Sequence, residues 1–205
     1  LLTAANLPEP SDEEKKQQDL NDAATRLLLA AIDAAPRSAL AYYELARIRG
    51  AWAQPCTDES SAGVSNLANA FALNPALRER AKNDPGIAGL GADIGYWVLL
   101  GTDLHKPSDV TALLPKLRWH YGPPSTSDLG WGYWYAFKPK GRLEFKERLY
   151  DEAGDNFLDE RVGTWRVVRG TGLTVIIDVP ASKHSKAMHL VGRLTSDGRL
   201  LFESM

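Results

Sequence analysis

Cysteine is almost absent from this chain: Cys56 stands alone among 205 residues. One thiol excludes an intramolecular disulfide and any zinc site built from several cysteines, and it leaves the redox compartment undecided. Long apolar runs are absent too. The stretch Ile94 to Leu100 is the longest that resembles one, far short of the roughly 20 residues a spanning helix needs, so no membrane span is expected. Charge of one sign is not in excess either. With 24 basic and 26 acidic residues the formal net charge is −2 and the pI about 6.1, which supplies no basic field to draw nucleic acid. What remains is a 44% hydrophobic chain, long enough for one mixed domain or two small ones. It opens LLTAANLPEP without an initiator methionine, which we read as a trimmed or processed start, with room for a removed signal peptide.

The motifs of familiar chemistry are missing as well. There is no G-x-S-x-G, no phosphate loop and no HExxH. Gly89, Gly91 and Gly95 miss the spacing of a dinucleotide loop and are read as easing a turn. His105, His120, His184 and His189 come with no facing carboxylates, so they are read as surface or rim residues and not as metal ligands. Glu144 and Glu147 fall at odd spacing on a strand and make no carboxylate pair; Glu147 interrupts an apolar face, as a strand leaving its core would. No catalytic residue, metal or cofactor is expected.

What is present divides by period. Ser11 to Leu20 is polar, with Ser11 placed to cap a helix and acid preceding base, so residues 1–21 read as a polar tail or frayed helix. Ala23, Leu27, Ala30, Ala31 and Ala34 then recur at helical spacing until Pro36. A second helix runs from Ala39 to Gly50, and a third from Gly63 to Leu73 before Asn74-Pro75. Three such helices with Pro or Gly punctuation stack antiparallel.

Between 86 and 128 the signals thin to a connector. "YWVLL" (96–100) is either a short buried strand or a helix end, and Ser108-Asp109 caps a helix that Pro115 kinks or ends. From Trp131 the period becomes two. Trp131, Tyr133, Tyr135 and Phe137 share a face, and Leu143, Phe145, Glu147 and Leu149 return it. A polar loop is expected over Asp151 to Glu160. A second hairpin carries Trp165 and Val167 against Leu173, Val175 and Ile177, and a third pairs Met188, Leu190 and Leu194 with Leu200 and Phe202 across Ser196-Asp197-Gly198. The fold class is therefore α+β, helices first, then six antiparallel strands over 129–205 that must curl over their own core.

Two family resemblances attach to these segments. "SNLANAFALNPALRERAKNDPGI" resembles the second helix and exit of a tetratricopeptide repeat, with its small and bulky positions on Gly63, Leu67 and Ala70. Counting back from Pro36 puts the same positions on Ala24, Leu28 and Ala31, while Tyr42, Leu45 and Ala46 fit the first helix. Pro36 and Pro75 stand 39 positions apart against the usual ~34 of the repeat. The likeness covers 22–85 and implies a groove bearing Tyr43 and Arg47, open to a peptide or to another part of the same chain. The order "YWYAFKPKGRLEF … GTW … LTVIID … GRLTSDGRLLF" resembles the lipocalin-like, calycin-type small barrels common in secreted bacterial proteins, on Gly163-Thr164-Trp165 and Asp197-Gly198.

Function follows as three readings. The first is a non-catalytic bacterial binding protein of extracytoplasmic, periplasmic location, which meets another protein or a peptide through Tyr43 and Arg47 and through the aromatic stripe. The second is a small apolar or glycan ligand held in the barrel mouth by Trp131, Tyr133, Tyr135 and Trp165. The third is an enzyme of unrecognised type. Aromatics dense over 119–135 pack a core first and stack on sugars or peptides second.

Overall fold

The computed structural model describes residues 11–52, 58–117, 119–121, 132–150, 156–169, 173–195 and 199–202. They group into two compact units, a helical one up to residue 89 and a second from residue 90 onward.

The helical unit opens with α1 (Asp12–Ala34), whose first turn closes from the Lys15 N–H to the Ser11 carbonyl at 3.0 Å. The helix is unbroken where the polar segment gives way to the apolar one, because nothing between Asp12 and Ala34 is a proline or a glycine. Pro36 forbids continuation, and α2 (Ala39–Trp52) restarts with the Ser38 hydroxyl accepting the Ala41 N–H. It runs past Gly50, where the sequence suggested an end; Gly50 is buried inside the helix. α3 (Asp58–Leu73) begins five positions before the expected Gly63, in a polar turn whose Ser60 is buried. After Asn74-Pro75 comes the short α4 (Leu77–Ala81).

Tyr43, Leu45 and Ala46 on α2 and Leu67, Ala70 and Phe71 on α3 are buried, as is Gly63. Small residues at these places let the two helix backbones come close. α1 is phased differently from the expectation. Its half-buried residues are Asn21, Ala23, Ala24, Thr25, Leu28 and Ile32, while Leu20 and Leu27 stand exposed. The run Leu27-Leu28-Leu29 allows more than one apolar stripe, and packing selects the one through Leu28.

The second unit holds α5 (Ile94–Leu99), capped by the Asp93 side chain on the Gly95 N–H at 2.7 Å, which makes "YWVLL" mostly helical. α6 (Pro107–Leu113) starts with its proline at the first helical position, so Lys106 and not Ser108 is the boundary residue, and Pro115 tightens its exit into a 3₁₀ turn over Leu114–Lys116. The strands are β1 (Trp119–Tyr121), β2 (Tyr133–Lys138), β3 (Arg142–Tyr150), β4 (Asn156–Arg169), β5 (Leu173–Val179), β6 (Met188–Leu194) and β7 (Leu200–Phe202). Each pairs antiparallel with the next in one sheet. This curled meander forms a half-barrel.

Two elements differ from the sequence reading. β1 adds a strand before the expected six, and β4 starts at Asn156, so Asp159 and Glu160 belong to a ladder with Glu147 and Lys146 and not to a loop. The inner face carries Tyr135 and Phe137 of β2, Leu143 and Phe145 of β3, Trp165 of β4, and Val175, Ile177 and Val179 of β5. Val110 and Leu114 lie in the same cluster, so the 86–128 stretch contributes directly to this core. A second patch, Ile94, Leu113 and Leu117 with Trp97 and Trp119, continues it.

Candidate functional site

Tyr43 and Arg47 stand one turn apart on α2, and the structure does bring them together, around Asp84. The Tyr43 hydroxyl donates to Asp84 Oδ2 at 2.9 Å, and Arg47 Nε lies 3.1 Å from the same oxygen without hydrogen-bond alignment. Gly86 N–H donates to Asp84 Oδ1 at 2.8 Å. Arg47 also donates to Glu44 at 2.6 Å, Arg80 reaches Glu44 at 3.1 Å, and the Arg80 guanidinium covers the Tyr43 ring at 4.6 Å. Tyr43 has 0% of its surface exposed, so its ring is a wall of the unit and offers no face to a ligand. The cluster ties α2 to the turn after α4. Burial, together with the hydrogen bond to Asp84, pushes the Tyr43 phenol far above its usual range, which keeps it a donor at all ordinary pH.

Asp84 is held below the usual carboxylate range. Burial alone would raise it, but the Gly86 N–H, the Tyr43 hydroxyl and the charges of Arg47 and Arg80 outweigh that effect. A depressed folded value means the contribution to stability is complete above about pH 4, where the unfolded carboxyl also ionises, and vanishes as pH falls through the folded value. Asp84→Asn should therefore cost about 1–3 kcal/mol at pH 7 and flatten the acid limb of the curve. Thermal melts followed by helical circular dichroism at pH 7 and pH 3 check this: the gap between wild type and variant should narrow at the lower pH.

The aromatic residues singled out on the sheet take different positions. Trp131 lies outside the described residues. Tyr133 is half-buried and stacks on Phe145 at 5.8 Å. Tyr135 is buried against Phe145 and Phe202. Trp165 is buried edge-on to Phe137 at 5.3 Å, and its indole N–H donates to the carbonyls of Lys138 (3.0 Å) and Arg142 (2.9 Å). Those carbonyls flank the β2–β3 turn, where Lys140 and Gly141 adopt left-handed backbone. Trp165 thus belongs to the core of the half-barrel and ties its β2–β3 turn.

A charged network missed by the sequence reading lies farther along the same inner face. Arg161 is paired with Phe145 in the ladder and its side chain is 3% exposed. It donates to Glu147 at 2.6 Å and to the carbonyls of Pro180 (3.2 Å) and Lys186 (3.0 Å), and its guanidinium lies 4.7 Å above the Phe145 ring. Its Nε comes to 3.2 Å of Asp159 but is not aligned for a hydrogen bond. Ser182 and Ser185 donate to Asp159 (2.8 Å) and Glu147 (3.0 Å). Arg161 thereby fastens the β5–β6 loop to β3 and β4 through its two terminal nitrogens. Extending the period of two backward from Trp165 would have placed Arg161 and Asp159 inward and explained Glu147.

The histidines behave as rim residues where they are described. His189 Nδ1 meets Asp178 on the exposed outer face at 2.5 Å, with Arg166 on the same carboxylate at 3.3 Å. The His189 contact first, and the nearby charges with it, holds Asp178 below its usual range. Among the described residues no three of His, Cys, Asp and Glu gather as metal ligands, and no helix is long and apolar enough to cross a membrane. No protein-family model, curated protein or solved structure matches this chain.

Proposed function

We propose that this protein is a non-catalytic binding protein whose tetratricopeptide-like helical unit meets another protein through α1, while the lipocalin-like half-barrel serves as a filled scaffold. The observation that carries this reading is the uncovered apolar side of α1: Leu27 is 72% and Leu20 57% exposed, with Ala30, Ala31 and Ala34 exposed beyond them. Leucines repeated on one open helix face mark an interaction surface. Burial of Gly63, Leu67 and Ala70 at the repeat's key positions supports the tetratricopeptide likeness. A ligand calyx requires open interior. Here Tyr135, Phe137, Phe145 and Trp165 pack on one another beneath Val110 and Leu114, which favours a protein partner over a small ligand.

A photoreactive benzoyl-phenylalanine placed at Leu27 should yield protein adducts on irradiation in cells. The same label at Arg166, on the exposed face of β4, should yield far fewer. Equal labelling from the two positions, or none from Leu27, would end this reading.

A further inference from the structure

We propose that the partner met by α1 is a second copy of this chain, with the two α1 helices antiparallel across a two-fold axis; this rests on α1 being the interaction surface. Leu20, Ala23, Leu27, Ala30 and Ala34 recur at spacings of three and four, the seam of a coiled coil. All of them but the half-buried Ala23 are exposed, and the seam runs beside the stripe of Leu28 and Ile32 that the helix turns inward.

Charge selects the register. Arg26 and Asp33 occupy successive heptad positions along one flank of the seam, both exposed, and among the described residues neither has an ion-pair partner in its own chain. An antiparallel pair with Leu27 opposite Ala30 of the other copy sets Arg26 against Asp33 twice, once at each end of the axis. The same register sets Ala23 opposite Ala34 and Ala24 opposite Ala31, so small residues line the approach and each Leu27 finds an alanine to pack over. Shifting the pair by one heptad, to put Leu20 opposite Ala30, brings Arg26 against Arg26 and Asp19 against Asp33. A parallel pair places Arg26 beside Ala31 and gains no charge pairing. Of these three arrangements the first alone joins a Leu27–Ala30 seam to attractive flanking charges, with Leu20 falling opposite position 37, past the end of α1.

The test uses the full chain in sedimentation equilibrium over a wide concentration range. Wild type should dimerise, and Leu27→Lys should sediment as a monomer. Arg26→Asp and Asp33→Arg each replace two attractions by two repulsions and should each weaken the dimer about tenfold or more. Mixing those two variants sets a wholly acidic flank on one copy against a wholly basic flank on the other. A one-to-one heterodimer tighter than either homodimer should therefore form. The double variant R26D/D33R should recover the homodimer. Circular dichroism melts confirm that the variants remain folded, as expected at exposed positions. A monomeric wild type, or a mixture no tighter than its components, overturns the proposal. If the chain is monomeric while Leu27 still crosslinks a different protein, the two-copy proposal fails and the interaction reading stands. If Leu27→Lys changes neither mass nor crosslinking, both fail.

Discussion

Replacing Arg161 with methionine is expected to destabilise the half-barrel by about 3–5 kcal/mol, the usual consequence of removing one partner from a buried ion pair. Methionine keeps the length and much of the apolar contact with Phe145, so the effect reports the guanidinium and not a cavity. Its loss leaves Glu147 and Asp159 facing each other across the β3–β4 ladder with Ser182 and Ser185 as their side-chain donors among the described residues. It also leaves the Pro180 and Lys186 carbonyls without their donor. Urea unfolding monitored by tryptophan fluorescence gives the magnitude. Hydrogen exchange gives the place: protection should fall at Ser182 and Ser185, whose amides are held in the same loop, while α2 and α3 keep theirs. Adding Glu147→Gln and Asp159→Asn to the methionine variant should restore part of the loss, because no buried charge is then left unpaired. A cost under about 1 kcal/mol for the single variant would mean that the network is hydrated and that the β5–β6 loop is held by other contacts.

That network also marks where the sequence stopped being readable. The alternation of Leu143, Phe145 and Leu149, and of Val175, Ile177 and Val179, exposed the strands because an apolar inner face and a polar outer one repeat every second residue. At Asp159 and Arg161 the inner positions are themselves charged, so the same period is present with its usual chemistry replaced, and a strand looks like a loop. On α1 the difficulty was the reverse. Leu27, Leu28 and Leu29 are all apolar, and periodicity alone could not say that Leu28 packs while Leu27 is left open. The prolines and small residues were more reliable: Pro36 and Pro75 ended their helices where backbone chemistry requires it, and Ala46, Gly63 and Ala70 lie buried on the α2–α3 hairpin. Of the site residues, Tyr43 and Arg47 were legible as neighbours on one helix face. Asp84, which binds them, lies 41 positions from Tyr43 with no periodic signal to connect the two.

Gly163→Ala should be the more damaging of two glycine substitutions in this sheet, and it explains the first residue of Gly163-Thr164-Trp165. A methyl group at Gly163 would overlap the carbonyl oxygen of Asp178 and crowd Val179 Cα, both backbone atoms of the neighbouring β5. Backbone cannot rotate away as a side chain can, so relief requires β4 and β5 to part just where Trp165 and Ile177 pair. The expected loss is about 3 kcal/mol or more, at the upper end of single-site effects. Gly192→Ala supplies the comparison, since the atoms nearest its methyl belong to side chains, the Phe202 ring at 2.8 Å and Leu200 on the edge strand β7. Those side chains can shift, and about 1 kcal/mol is expected. Urea unfolding of both variants measures the contrast, and equal losses would show that crowding at Gly163 is relieved by a small strand movement. The three residues then have separate tasks set by strand geometry: Gly163 inward where β5 passes too close for a side chain, Thr164 outward to solvent, and Trp165 inward where its N–H reaches the turn carbonyls of Lys138 and Arg142.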